Sequence, residues 1–349
     1  MRIWFTSDLE GRCKSLALPR LVCTSLNLIS AKMIKKCASI GLIGEKSAWT
    51  IEFQRVSREK SFTGISLEDS VINQFSHIPS EDLSVQPRAE GVVELRIKPL
   101  GGRSVIDKFR QVGSFKCLFP RGDRQDLDAV LLNTAGGVTG GDRFRLNVEA
   151  KSGTSLTLTT QACERAYKAK PSQTGKVRSQ IKVRTGARVN WLPQETLLFN
   201  GSALDRRLVI DLEAKSHVLM VEPLVFGRPA MGEILNDIRL RDRIEIWQEK
   251  KVAFLDAISF SGNLHEHLDR PNIAQGAGAM ALVVFASDMA EGQLSPICDM
   301  LPDTGGASLL QKNLLTVRLF AKNGYYLRQS LLPVLRQLNN NTLPRCWML

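Results

Sequence analysis

From residue 88 onward the chain is written in short runs whose apolar residues fall on every second position. In "GVVELRIKPLGG", Val93, Leu95 and Ile97 alternate with Glu94, Arg96 and Lys98, and a Gly-Gly turn closes the run. Such alternation sets one face of an extended strand in a core and the other in water. Comparable runs follow at 155–160, 207–214, 216–226, 251–258, 279–287 and 314–321, separated by turn clusters such as "KSGT", "RTGAR", "FNGSA" and "DTGG". Many short strands punctuated this closely predict a mainly β body of stacked or wrapped sheets.

Two segments depart from that pattern and predict about two helices. "QACERAYKAK" (161–170) is rich in helix formers. In "GYYLRQSLLPVLRQLNN" (324–340), Leu327, Leu331, Leu335 and Leu338 recur at the spacing of one helical face. That face is expected to cover a sheet or to meet a partner, with Pro333 kinking the helix or ending its first half.

The densest motif is "LLNTAGGVTGGDRFRL" (131–146). Gly136 and Gly141 have the spacing of a phosphate-binding G-x-x-x-x-G-K-S/T loop, but Asp142 and Arg143 stand at the lysine and hydroxyl positions. A carboxylate there inverts the charge a phosphate needs. The following residues alternate as a strand, so no helix N-terminus faces an anion. Gly136, Gly137, Gly140 and Gly141 are therefore expected to shape a turn between strands.

Among 349 residues the formal charge is +12. The basic residues alternate with apolar ones along strands, as in "KVRSQIKVRTG" and "IRLRDRIEIW", which reads as a solvated sheet face. Aromatic content of 6% supplies few stacking surfaces for single strands. An acidic protein partner is favoured over nucleic acid. The seven cysteines form no C-x-x-C and no regular spacing, which fits reduced thiols and a cytoplasmic setting. No apolar run is long enough to span a membrane.

Residues 1–87 differ. Positions 11–44 carry Lys and Arg without an acid, and 61–87 carry four acids without a Lys or Arg. Neither stretch has a sustained period, so 1–87 is expected to be a poorly ordered extension or a start assigned upstream, with 88–349 as one large domain.

Candidate chemistry is sparse. His265 and His267 would share one side of an extended segment and offer two metal ligands, although loop histidines near the "LDRP" turn are the favoured account of them. No H-E-x-x-H or G-x-S-x-G occurs. Asp142, Glu164, Glu195, Glu222, Glu233 and Asp256 lie in or beside turn-rich motifs, where a carboxylate-dependent hydrolase could draw a pair.

Taken together, "LLNTAGGVTGGDRFRL", "LTTQACERAYKA", "VNWLPQETLLFNGS", "EPLVFGRPAMGE", "RDRIEIW", "DRPNIAQGAGAMA", "GASLLQKNLLTVRLFA" and "LPRCWML" resemble the urease accessory protein UreD (UreH) family, in family order from about residue 88 to the end. The resemblance implies a β-rich fold with a pair of helices and no catalysis of its own. It implies a scaffold joining UreF and the GTPase UreG on apo-urease, with no tightly bound cofactor and with nickel in transit. Asp142, Glu164, Glu195 and Glu222 become candidates for the nickel route, and the Leu327–Leu338 face a candidate surface for UreF. Nucleic acid and membrane are not expected partners.

Overall fold

A computed structural model describes residues 87–121 and 125–348. The expectation for the N-terminal extension falls, Pro87 apart, outside them. With strands numbered along the chain, one sheet contains β1 (Glu90–Leu100), β2 (Arg103–Gly113), β5 (Arg143–Ala150), β8 (Gly175–Val183), β11 (Ala203–Leu212), β13 (Ile238–Gln248) and β14 (Lys251–Gly262), in the spatial order 14-13-11-8-5-1-2. The second sheet runs through β3 (Phe115–Leu118), β4 (Leu127–Asn133), β6 (Ser155–Thr160), β9 (Arg188–Leu192), β12 (His217–Phe226), β15 (Ala279–Ala286), β17 (Leu314–Ala321) and β16 (Gly305–Gln311).

Between β4 and β13 the chain passes alternately from one sheet to the other. A chain that re-enters each sheet by crossing from its neighbour travels the same way every time, so the new strand lies parallel to the last. Accordingly β5, β8, β11 and β13 pair in parallel, as do β4, β6, β9 and β12. The mainly β body is thus wrapped as a superhelix. Antiparallel partners close both ends: β1–β2 and β3–β4 at one, β13–β14 and β12–β15–β17–β16 at the other. Two short strands, β7 (Glu164–Ala166) and β10 (Thr196–Leu198), add a third parallel row beside β12.

Inward residues of the two sheets form the main core, with Leu146, Ile181, Leu208 and Ile244 facing Leu158, Val189 and Met220. On the far side of the second sheet lie α2 (Ala290–Met300) and α3 (Gly324–Leu338), and β15 is therefore buried on both faces. Leu327, Leu331, Leu335 and Leu338 are 1, 1, 0 and 6% exposed. Each contributes on the order of 2 kcal/mol through burial. Those four side chains are covered by the chain's own sheet and leave no apolar face there for UreF. Pro333 lies within α3, yet the helix continues to Leu338, because leucines on both sides of it are anchored in the same core.

The segment 161–170 is not helical. Its centre is β7, where Val138 N donates to Arg165 O, Tyr167 N to Val138 O and Glu164 N to Glu195 O. Ladder partners on both sides outweigh the local preference of "CERAYKA" for helix. The third described α-helix, α1 (Leu264–Asp269), holds the "HEH" triplet instead of an extended segment.

Candidate functional site

The glycine motif carries the chain from β4 in the second sheet to β5 in the first. Gly136 and Gly141 have φ of 80° and 92°, a region that favours glycine. Gly137 is required by space: a Cβ there would stand 2.3 Å from the Tyr167 ring and 2.6 Å from the Arg165 carbonyl oxygen. Asp142 closes the turn, its carboxylate accepting from Thr139 N at 2.8 Å and from Ala89 N at 2.9 Å. It is 4% exposed, whereas Arg143 points to solvent. Asp142→Ala leaves two amides without their acceptor and is expected to lower stability by about 2–4 kcal/mol; an unchanged urea midpoint would show that the cap is dispensable.

Glu164 lies next in the third row. Both its oxygens accept from Asn133 Nδ2, at 3.3 and 3.2 Å, and one accepts from Arg165 N. No described Lys or Arg forms an ion pair with it. Burial raises its pKa, opposed by the Asn133 bond and by the Arg165 amide and charge, while the nearby Asp142 charge adds to the rise. Parallel register sets Glu164 beside Thr196, and Thr196 beside Leu224.

The Thr196 hydroxyl accepts from Arg206 Nη1 at 3.1 Å, which leads to a charged cluster in the space between the sheets. Arg206 Nε donates to Asp242 Oδ1 at 2.9 Å, and Nη2 meets the other oxygen of Asp242. Nη1 stands 2.6 Å from Glu222 Oε2, an ion pair outside hydrogen-bond geometry, and Trp191 Nε1 donates to Oε1 at 2.7 Å. All three charged residues sit on inward strand positions, where Leu204, Leu240 and Leu224 lie to one side and Leu208, Ile244 and Met220 to the other. Burial raises the Glu222 pKa despite Arg206 beside it. The net effect on Arg206 is also upward, its two acids outweighing burial. Glu222 and Asp242 are each 4% exposed and bridged by one arginine, unlike a hydrolytic pair flanking an open cleft.

The other candidates are held separately. Glu195 pairs with Arg328 of α3 at 3.1 Å, Glu233 with Arg228 at 2.8 Å and Asp256 with Arg318 at 2.8 Å. On α1, His265 is exposed near Asp269, while His267 packs on Phe260 with its pKa lowered by burial. Residues two apart on a helix diverge, so the two imidazoles do not converge on one ion. Among the described residues no group of three His, Cys, Asp or Glu side chains is placed to hold a metal, and no helix is long and apolar enough to cross a membrane. Arg206, Asp242 and Trp191 were not among the sequence candidates.

The described residues thus form a wrapped β body with acids distributed along its interior and no three-ligand metal cluster among them. The family model described as "UreD urease accessory protein" matches residues 89–348. A urease accessory protein UreD from Ruegeria pomeroyi is 56% identical over 73% of this chain and 99% of its own length. Relatives of the same name from Roseobacter denitrificans (47% identity; 76% of this chain, 96% of theirs) and Rhizobium leguminosarum bv. trifolii (39%; 75% and 96%) are also similar. The chain belongs to the UreD family of urease accessory proteins.

Proposed function

We propose that this protein is a non-enzymatic, cytoplasmic scaffold for nickel insertion into apo-urease, working in complex with UreF- and UreG-type partners. Family membership across the body carries this reading. Cargo chemistry agrees with it: an ion that must be released is served by successive weak oxygen ligands and not by a closed cage. Nickel is then a passenger, and no tightly bound cofactor is required.

Of the four acids considered for the route, Asp142 is engaged by backbone amides, and Glu195 and Glu222 are paired with arginines. Glu164 is held neither by an arginine ion pair nor by two backbone amides among the described residues, and is the strongest candidate for a transient ligand. Glu164→Gln keeps the shape and removes the charge. At limiting nickel it is expected to reduce metal per urease active site several-fold while leaving complex formation intact. Equal loading by variant and wild type would remove Glu164 from the route. Since its pKa is raised, delivery should also fall as pH drops through that value, because the protonated carboxyl no longer attracts a cation. The assembly itself is tested by co-purifying the full chain with its UreF- and UreG-type partners and apo-urease. Absence of a joint complex would sink the scaffold reading.

A further inference from the structure

Outward residues of the first sheet are predominantly basic, and parallel pairing brings them into line. Arg145 on β5 is opposite Arg178 on β8, Arg178 opposite Arg207 on β11, and Arg207 opposite Arg243 on β13. Two residues away on the same face lies a second row, Arg143, Lys176, Asp205 and Arg241. Neighbouring strands lie about 4.8 Å apart, so the four arginines form a ladder roughly 14 Å long. Like charges directly opposite one another destabilise a sheet. A fold that keeps four in register therefore gains nothing in stability from their alignment.

Two carboxylates hold the ladder in place and balance half of its charge. Glu245 Oε1 accepts from Arg207 Nε at 2.9 Å and from Arg243 Nε at 2.7 Å, and Oε2 accepts from Trp247 Nε1. Glu245 is buried beneath those two guanidinium groups, which remain about half exposed at 50 and 49%. Arg178 is fixed by Asp205, through its carboxylate at 2.8 Å and its carbonyl at 2.6 Å. Arg145 is exposed and has no ion-pair partner among the described residues. Carboxylates beneath or beside the guanidinium groups restrict their orientation while leaving outward N–H donors free, which lowers the ordering cost of binding an anion.

We propose that this face docks an acidic α-helix of a partner protein, lying across the strands with one carboxylate per turn along the arginine ladder. An α-helix advances about 5.4 Å per turn against a strand spacing of about 4.8 Å, a mismatch of about 2 Å over the ladder, which arginine and glutamate side chains absorb. Nucleic acid suits the face less well. Asp205 and Glu245 lie within the patch, where a phosphate backbone would meet their carboxylates. A single acidic stripe meets the guanidinium row, where Arg207 and Arg243 stand between it and the buried Glu245. Docking of this kind needs neither nickel nor urease.

The test uses the full chain with a labelled helical peptide, cross-linked to hold its shape, that carries glutamate once per turn. Its control has the same composition with the glutamates spread around the helix. At about 50 mM salt, where exposed charges are weakly screened, the ordered peptide should bind and the control should bind much more weakly. Changing all four arginines to glutamine should weaken binding by about tenfold or more, the combined loss of several exposed ion pairs. Arg145→Glu breaks no internal pair, and with an unchanged melting temperature it should weaken binding about threefold. Arg336→Gln, off this face, should have no effect. Equal binding of ordered and control peptides would overturn the proposal. So would wild-type affinity in both ladder variants, or a DNA duplex that outcompetes the ordered peptide. Failure of the full chain to load urease with nickel would refute the function proposed above and leave this result standing.

Discussion

Arg206→Met is expected to lower stability by about 3–5 kcal/mol, the cost of leaving buried charge without its partner. Glu222 and Asp242 reach the sheet interior from opposite sheets, and Arg206 is the cation that meets both. Trp191 gives Glu222 a single hydrogen bond, which does not replace a full charge. Urea unfolding at neutral pH should show the loss as a lower midpoint at unchanged slope. The pH dependence has a definite sign. A carboxyl whose folded-state pKa is raised adds stability that is complete below its unfolded pKa and lost as pH rises through the folded one. Removing Arg206 raises the folded value of Glu222 further, so the variant should recover stability on acidification between those two values. Replacing all three charged residues by apolar ones of similar volume should cost far less than Arg206→Met alone, because no orphan charge then remains. If the single variant kept the wild-type midpoint, the cluster would have to be hydrated.

Gly137→Val is expected to cost at least about 3 kcal/mol and to remove most soluble protein, since overpacking here strikes backbone as well as a side chain. The Tyr167 ring could turn away from a new Cβ, but the Arg165 carbonyl oxygen at 2.6 Å is fixed by its bond from Val138 N. Gly136→Ala provides the contrast. Nothing lies within 4 Å of a Cβ at that position, and its φ of 80° is the only obstacle, so the cost should be about 1–2 kcal/mol. Similar melting temperatures for the two variants would contradict this division of the motif into one position limited by space and one limited by conformation.

Alternation made the strands legible, and the boundaries of β6 and β17 coincide with runs visible in the letters. Pairing direction was not legible. The first sheet has one wet face, so its parallel strands alternate just as antiparallel ones do. The ladder of Arg145, Arg178, Arg207 and Arg243 was hidden for the same reason, since each residue reads singly as a solvated charge until register aligns them. The buried cluster does leave a trace in the letters. In "ALDRRLVIDL" and "IRLRDRIEIW", Arg206 and Asp242 occupy the apolar phase of their strands, between Leu204 and Leu208 and between Leu240 and Ile244. A charge on the buried phase requires a partner from elsewhere in the chain, and Glu222 sits on the matching phase of β12. The misreading of 161–170 has a different origin, because β7 exists only through its long-range ladder and three residues carry too little local signal.

The central claim, that this chain enables nickel insertion into urease, is tested most directly by complementation. The full chain, and separately residues 88–349, would be expressed with a urease operon whose own UreD-type gene is deleted, together with the cognate UreF- and UreG-type partners. Nickel per active site would be measured at limiting metal. Restored loading by both forms is the predicted result. Apo-urease that stays empty with the full chain present, soluble and bound to its partners would contradict the account.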